Sequence, residues 1–167
     1  MVAAPKGGDG RIGGPVANGS VVAVPPRLEL KQLIRAVPLF AGLLPSEVDR
    51  IALVMRPRDV GAGVVICAEG EPGHEFFVLA RGEAGIERGD ETIAKLHVGD
   101  HFGELALLDR GPRSATVRAL GDCRLYVLED AAFAAVLNEV PALAQKLLAT
   151  LAGRLREAET PPQGEKR

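Results

Sequence analysis

The chain has 167 residues, a formal charge of −2 and 47% hydrophobic residues, with no Trp, one Tyr and five Phe. This length suits one domain with an aliphatic core, and the near-neutral charge supplies no general pull toward nucleic acid or an anionic membrane. No apolar run approaches the roughly 20 residues that span a bilayer, and a start broken by Gly and Pro is not a secretory leader, so a cytoplasmic location is expected.

Residues 1–27 are expected to be a disordered tail, because Gly7-Gly8, Gly13-Gly14-Pro15 and Pro25-Pro26 interrupt every periodic pattern. A folded domain is expected over 28–158. Its first element is a short helix over Leu28–Val37 with Leu30, Leu33, Ile34 and Val37 on one side. After a turn at Pro38–Leu43, Ser46 is placed to cap a helix from Glu47 to about Met55, with Val48, Ile51, Ala52 and Met55 facing inward.

From Arg56 to about Glu129 the pattern becomes β. Short apolar runs (Val64–Ile66, Phe76–Leu79, Ala84–Ile86, Thr92–Ala94, Thr116–Leu120 and Arg124–Leu128) alternate with turn signals such as Gly70-Glu71-Pro72-Gly73 and Val98-Gly99-Asp100. A strand about every ten residues predicts an antiparallel roll or barrel. Cys67 and Cys123 fall in these apolar contexts and are expected as buried, reduced thiols. Asp130 is placed to cap a helix through Phe133 and Leu137. Pro141 opens a last helix to about Ala158, with a stripe of Leu143, Leu147, Leu151 and Leu155. Residues 159–167, with Pro161-Pro162, are expected to be a second disordered tail. The fold class is therefore mainly β with flanking helices.

One stretch carries chemistry. It is Phe102-Gly103-Glu104-Leu105-Ala106-Leu107-Leu108, followed after Asp109-Arg110-Gly111 by Pro112-Arg113-Ser114-Ala115-Thr116-Val117. Gly103 lets the backbone approach a ligand, and a helical turn opening there leaves N–H groups free for an anion. Arg113 adds a planar, charged fork suited to phosphate oxygens, and Ser114 a hydroxyl. Glu104 repels phosphate but accepts from a hydroxyl, such as that of a ribose. The combination fits a ligand with a sugar hydroxyl at one edge and a phosphate at the other.

This string closely resembles the phosphate-binding cassette of cyclic nucleotide-binding domains, found in catabolite-activator-type regulators, cyclic-nucleotide-dependent kinases and cyclic-nucleotide-gated channels. The resemblance runs from about Pro38 to Arg156 and implies an antiparallel β-roll (jelly-roll-like) with N-terminal helices and a C-terminal lid helix. It implies that Glu104 accepts from the ribose 2′-hydroxyl and that Arg113 pairs with the cyclic phosphate. The N–H groups of Leu105, Ala106 and Ala115 and the Ser114 hydroxyl would complete the cradle beside Phe102 and Gly103. It also places Ile86 and Ile93 against the purine and the last helix over the base, with Arg154 or Arg156 within reach. A hydroxyl at Ser114 permits cAMP or cGMP; similarity to bacterial Arg-Ser-Ala relatives favours cAMP.

Competing readings are weaker. His97 and His101 are four apart, a ligand spacing on a helix, but Gly99-Asp100 between them predicts a turn, so no metal is expected. No catalytic residues stand out: no Ser-His-Asp set or metal-binding carboxylate cluster can be proposed, so catalysis is not expected. Arg56, Arg58, Arg110 and Arg118 are scattered and form no basic stripe for nucleic acid. The expected partners are a cyclic nucleotide and an unidentified effector protein or effector domain. A structural interaction domain of the same fold without a ligand, and a cupin-like metal-binding protein, remain as alternatives.

Overall fold

The computed structural model describes residues 26–159. The expected tails at 1–27 and 159–167 lie almost wholly outside this range. Helix α1 spans Pro26–Ala36, starting two residues before the expected Leu28 because Pro26 suits a first helical position. A 3-10 turn at Pro38–Phe40 leads to α2, Pro45–Val54. Ser46 does not cap α2. Pro45 is its first residue, and the Glu47 carboxylate accepts from the Leu44 N–H at 2.7 Å. A carboxylate one turn in satisfies the free amide more strongly than a serine hydroxyl would.

Eight strands follow: β1 Arg56–Val60, β2 Val65–Cys67, β3 Glu75–Arg81, β4 Ala84–Arg88, β5 Glu91–Leu96, β6 His101–Phe102, β7 Thr116–Ala119 and β8 Cys123–Glu129. Helix α3, Glu104–Asp109, interrupts the roll between β6 and β7. Two antiparallel four-stranded sheets result, ordered β1-β8-β3-β6 and β2-β7-β4-β5. The chain closes with α4, Asp130–Glu139, and α5, Pro141–Glu159. Asp130 is the first residue of α4 rather than its cap; Glu129 holds the cap position in extended backbone.

The core has two parts, one on each face of the first sheet. Phe77, Leu79, Leu125 and Val127 point between the sheets, against Ala84, Val117 and Ala119 of the second. Phe76, Val78, Tyr126 and Leu128 point the other way, into a layer formed by α1, α2, α4 and the start of α5. Adjacent side chains of a strand face opposite ways. A sheet covered on both faces therefore needs unbroken apolar runs, which is what Phe76–Leu79 and Leu125–Leu128 supply. Val48, Ile51, Ala52 and Met55 are buried as the helical spacing predicts. On α5 the stripe is only half core: Leu143 and Leu147 are buried, whereas Leu155 is 60% exposed. Beyond Leu147 the helix leaves the α-layer and runs toward the cassette. Cys67 and Cys123 are both free thiols. No helix among the described residues is long and apolar enough to cross a membrane.

Candidate functional site

The site is built where the roll is interrupted. Gly103 precedes α3 with φ +88°, a left-handed conformation that glycine adopts without strain. A Cβ on Gly103 would lie 2.7 Å from both Arg113 Nη1 and the Glu75 carbonyl oxygen. The missing side chain is thus what lets the guanidinium sit against the backbone.

Arg113 is 7% exposed and firmly held. Nη1 donates to the Gly103 carbonyl and Nη2 to the Glu75 carbonyl, both at 2.9 Å, and Cζ lies 5.6 Å from the Phe77 ring centroid. Its main chain is pinned as well. The Arg113 N–H donates to Glu71 O at 2.8 Å, and its carbonyl accepts from the Gly70 N–H at 2.9 Å. The segment Gly70–Gly73 therefore runs alongside Pro112–Arg113, joined also by a β-bridge between Pro72 and Pro112. Gly73 closes this contact. A Cβ there would stand 2.6 Å from both Arg113 Cζ and Ala106 Cβ. A buried guanidinium with two carbonyl partners and an aromatic ring beneath it is fixed in place before any anion arrives.

Glu104 is the other buried charge, at 2% exposure. Arg154 of α5 reaches it, with Nη1 2.5 Å from Oε1. Arg154, one of the two arginines expected within reach of the base, here pairs with the acid.

Glu104 and Arg113 line one cavity of about 430 Å³. Ile86, Ile93, Phe102, Gly103, Leu105, Ala106, Ser114, Ala115 and Arg154 line it too, so every expected site residue is gathered around one space. Cys67, Arg88, Lys95, Asp100 and His101 are among the further wall residues and were not expected there. Lys95 lies on the same strand, β5, as Ile93, and that nearness in sequence is a signal that finds it. Burial pushes the Cys67 thiol pKa up, against the opposing pull of Arg113. A second cavity, of about 420 Å³, shares Cys67 and Arg113, but Glu71, Glu75, Glu129 and Asp130 surround it. That carboxylate wall is unfavourable to an anion, whereas in the first cavity the Arg113 cation, the start of α3 and Ser114 converge.

Residues 57–140 match the family model described as the cyclic nucleotide-binding domain. The chain belongs to this family. The cAMP-dependent protein kinase regulatory subunit of Hypocrea atroviridis is 36% identical over 70% of this chain, which spans 25% of that protein. The cyclic AMP receptor protein of Thermus thermophilus is 37% identical over 75% of the chain, covering 61% of its length. Among solved structures, the Thermus thermophilus catabolite activator protein superposes with TM-score 0.68 at 37% identity, covering 73% of this chain and 60% of that one. The regulatory domain of Toxoplasma gondii PKA, crystallised with cAMP, gives TM-score 0.62 at 28% identity, covering 66% and 44%. The domain here shares the antiparallel roll and flanking helices of that family.

Proposed function

We propose that this domain, residues 28–158, binds cAMP in preference to cGMP and passes the binding event to an effector through α5. The observation that carries this reading is the burial of Glu104 and Arg113 on one cavity, with the start of α3 between them. Arg113 offers its charge to the cyclic phosphate, joined by the N–H groups of Leu105, Ala106 and Ala115 and the Ser114 hydroxyl. Glu104 accepts from the ribose 2′-hydroxyl. Ile86 and Ile93 give the purine an apolar surface on the second sheet. Preference for cAMP is supported by relatives named for it or crystallised with it.

Signalling follows as a population shift. A nucleotide that binds better when α5 lies over the cavity draws the helix into that position; equal affinity for both positions would transmit nothing. The effector is a protein or domain contacted by the moving helix, and a cytoplasmic location suits such a receiver.

Titration calorimetry with cAMP and cGMP tests the reading. Wild type is expected to bind cAMP more tightly. Arg113→Ala is expected to lose at least about a hundredfold, since truncating one member of a buried charge pair costs roughly 3 kcal/mol or more. Wild-type affinity in that variant would remove the phosphate assignment.

A further inference from the structure

The Arg154–Glu104 pair has a neighbour that neither the core nor the proposed nucleotide contacts employ. His101 forms half of the two-residue strand β6, three positions before Glu104. Its ring lies 5.7 Å from that of Phe76. It lines the 430 Å³ cavity on one side and, on the other, a cavity of about 320 Å³ under α5 bounded by Lys146 and Thr150. Among the described residues, its Nε2 is the one buried side-chain nitrogen or oxygen without a hydrogen-bond partner. An enclosed imidazole nitrogen with no partner, lining the same cavity as a buried carboxylate, gains a reason to pair with it once the ring is charged.

We propose that His101 is a proton-operated release for α5: once charged, it takes Glu104 as its partner, repels Arg154, and frees the C-terminal half of the helix from the cassette. This rests on the reading of α5 as the moving part and names a second input to it.

The charges around His101 set the sign. Glu104 of α3 and the adjacent Asp100 favour its protonated form. Arg154 of α5 disfavours it, and Lys146, also of α5, borders the same cavity while donating to the Ala41 carbonyl. Burial is the largest influence and holds the histidine below its usual 6.5. Neutral His101 and an intact Arg154–Glu104 pair therefore prevail above that value. The release acts as pH falls below it, where the entering proton sees one cation and one anion that it can exchange.

Hydrogen exchange of the full chain tests this without any nucleotide. Amides of α5 from Thr150 to Ala158 are followed at about pH 7.5 and about pH 5, corrected for intrinsic exchange, on either side of the usual histidine value of about 6.5. Wild type is expected to lose protection about tenfold at the lower pH, the effect of one pKa unit of coupling. His101→Gln and His101→Phe, which cannot acquire the charge, are expected to change less than about twofold. Arg154→Met is expected to exchange rapidly at both values. An equal pH response in wild type and both His101 variants, or no response in wild type, overturns the proposal. Because the readout needs no ligand, its failure leaves the Arg113→Ala titration standing, and failure of that titration leaves this one interpretable.

Discussion

Gly73→Ala tests whether the arginine is positioned by close packing. Gly73 does not have a positive φ, so alanine is allowed by the backbone, and the perturbation is steric alone. The added methyl would stand 2.6 Å from Arg113 Cζ and Ala106 Cβ. Relief to a normal separation of about 3.5 Å requires a shift of about 1 Å. Arg113 holds its two carbonyl partners at 2.9 Å. A retreat of that size takes at least one of them past about 3.5 Å, where the bond is lost. A hydrogen bond to a charged group contributes about 2 kcal/mol, so cAMP affinity is expected to fall roughly thirtyfold and stability by a similar free energy. Calorimetry and urea unfolding read the two quantities. The control is Gly63→Ala. Gly63 has φ +81° and an added methyl there would meet no atom within 4 Å, so the variant loses about 1 kcal/mol of stability to left-handed strain while affinity stays within about twofold. A Gly73→Ala protein that binds cAMP like wild type and unfolds at the same urea concentration would refute the packing argument.

Two further outcomes are expected. Iodoacetamide should modify Cys67 slowly at neutral pH and faster as pH rises beyond the usual thiol range of about 8.5, because burial raises its pKa, and cAMP should slow the reaction; peptide mapping that finds rapid or cAMP-indifferent labelling would contradict its place in the cavity wall. Leu147→Ala should lower unfolding stability by about 2–5 kcal/mol, while Leu155→Ala should change it by less than about 0.5 kcal/mol, since the first is 2% exposed and the second 60%; equal losses would mean that α5 packs along its whole length.

The parts of the fold that were legible are those where local pattern and tertiary role agree. Phe76–Leu79 and Leu125–Leu128 read as buried strands because both faces of their sheet are covered. The cassette read clearly because Gly103, Glu104 and Arg113 each have a distinct chemical reason to stand where they do. β1 carried no such signal. Its Arg56–Val60 side chains are largely exposed and include Pro57, which an edge strand tolerates. It is held by backbone pairing to β8 and by ion pairs, Asp59 with Arg124 and Arg58 with Glu75, that become adjacent only once the sheet forms. The two-residue β6 is too short for any period to show. Helix starts were misplaced where a competing group took the terminal position, by two residues at α2, where Pro45 and Glu47 take it, and by one at α4, where Glu129 does. Within the site, Gly73 read as a turn residue, whereas its role is to make room for a side chain forty positions away. The Arg154–Glu104 contact spans fifty positions and depends on the path of α5 past Leu147, which no local spacing encodes.

The anchoring of Arg113 has an evolutionary consequence. Its guanidinium joins the Glu75 end of one strand to the Gly103 bend, while its main chain clasps the Gly70–Gly73 loop. A lineage drifting toward nucleotide independence could not simply discard this residue, because three segments would lose their fastening along with the proposed phosphate contact. Loss of responsiveness in this scaffold would have to be accompanied by replacement fastenings for those segments, and such compensating changes would mark the descendants that made the transition.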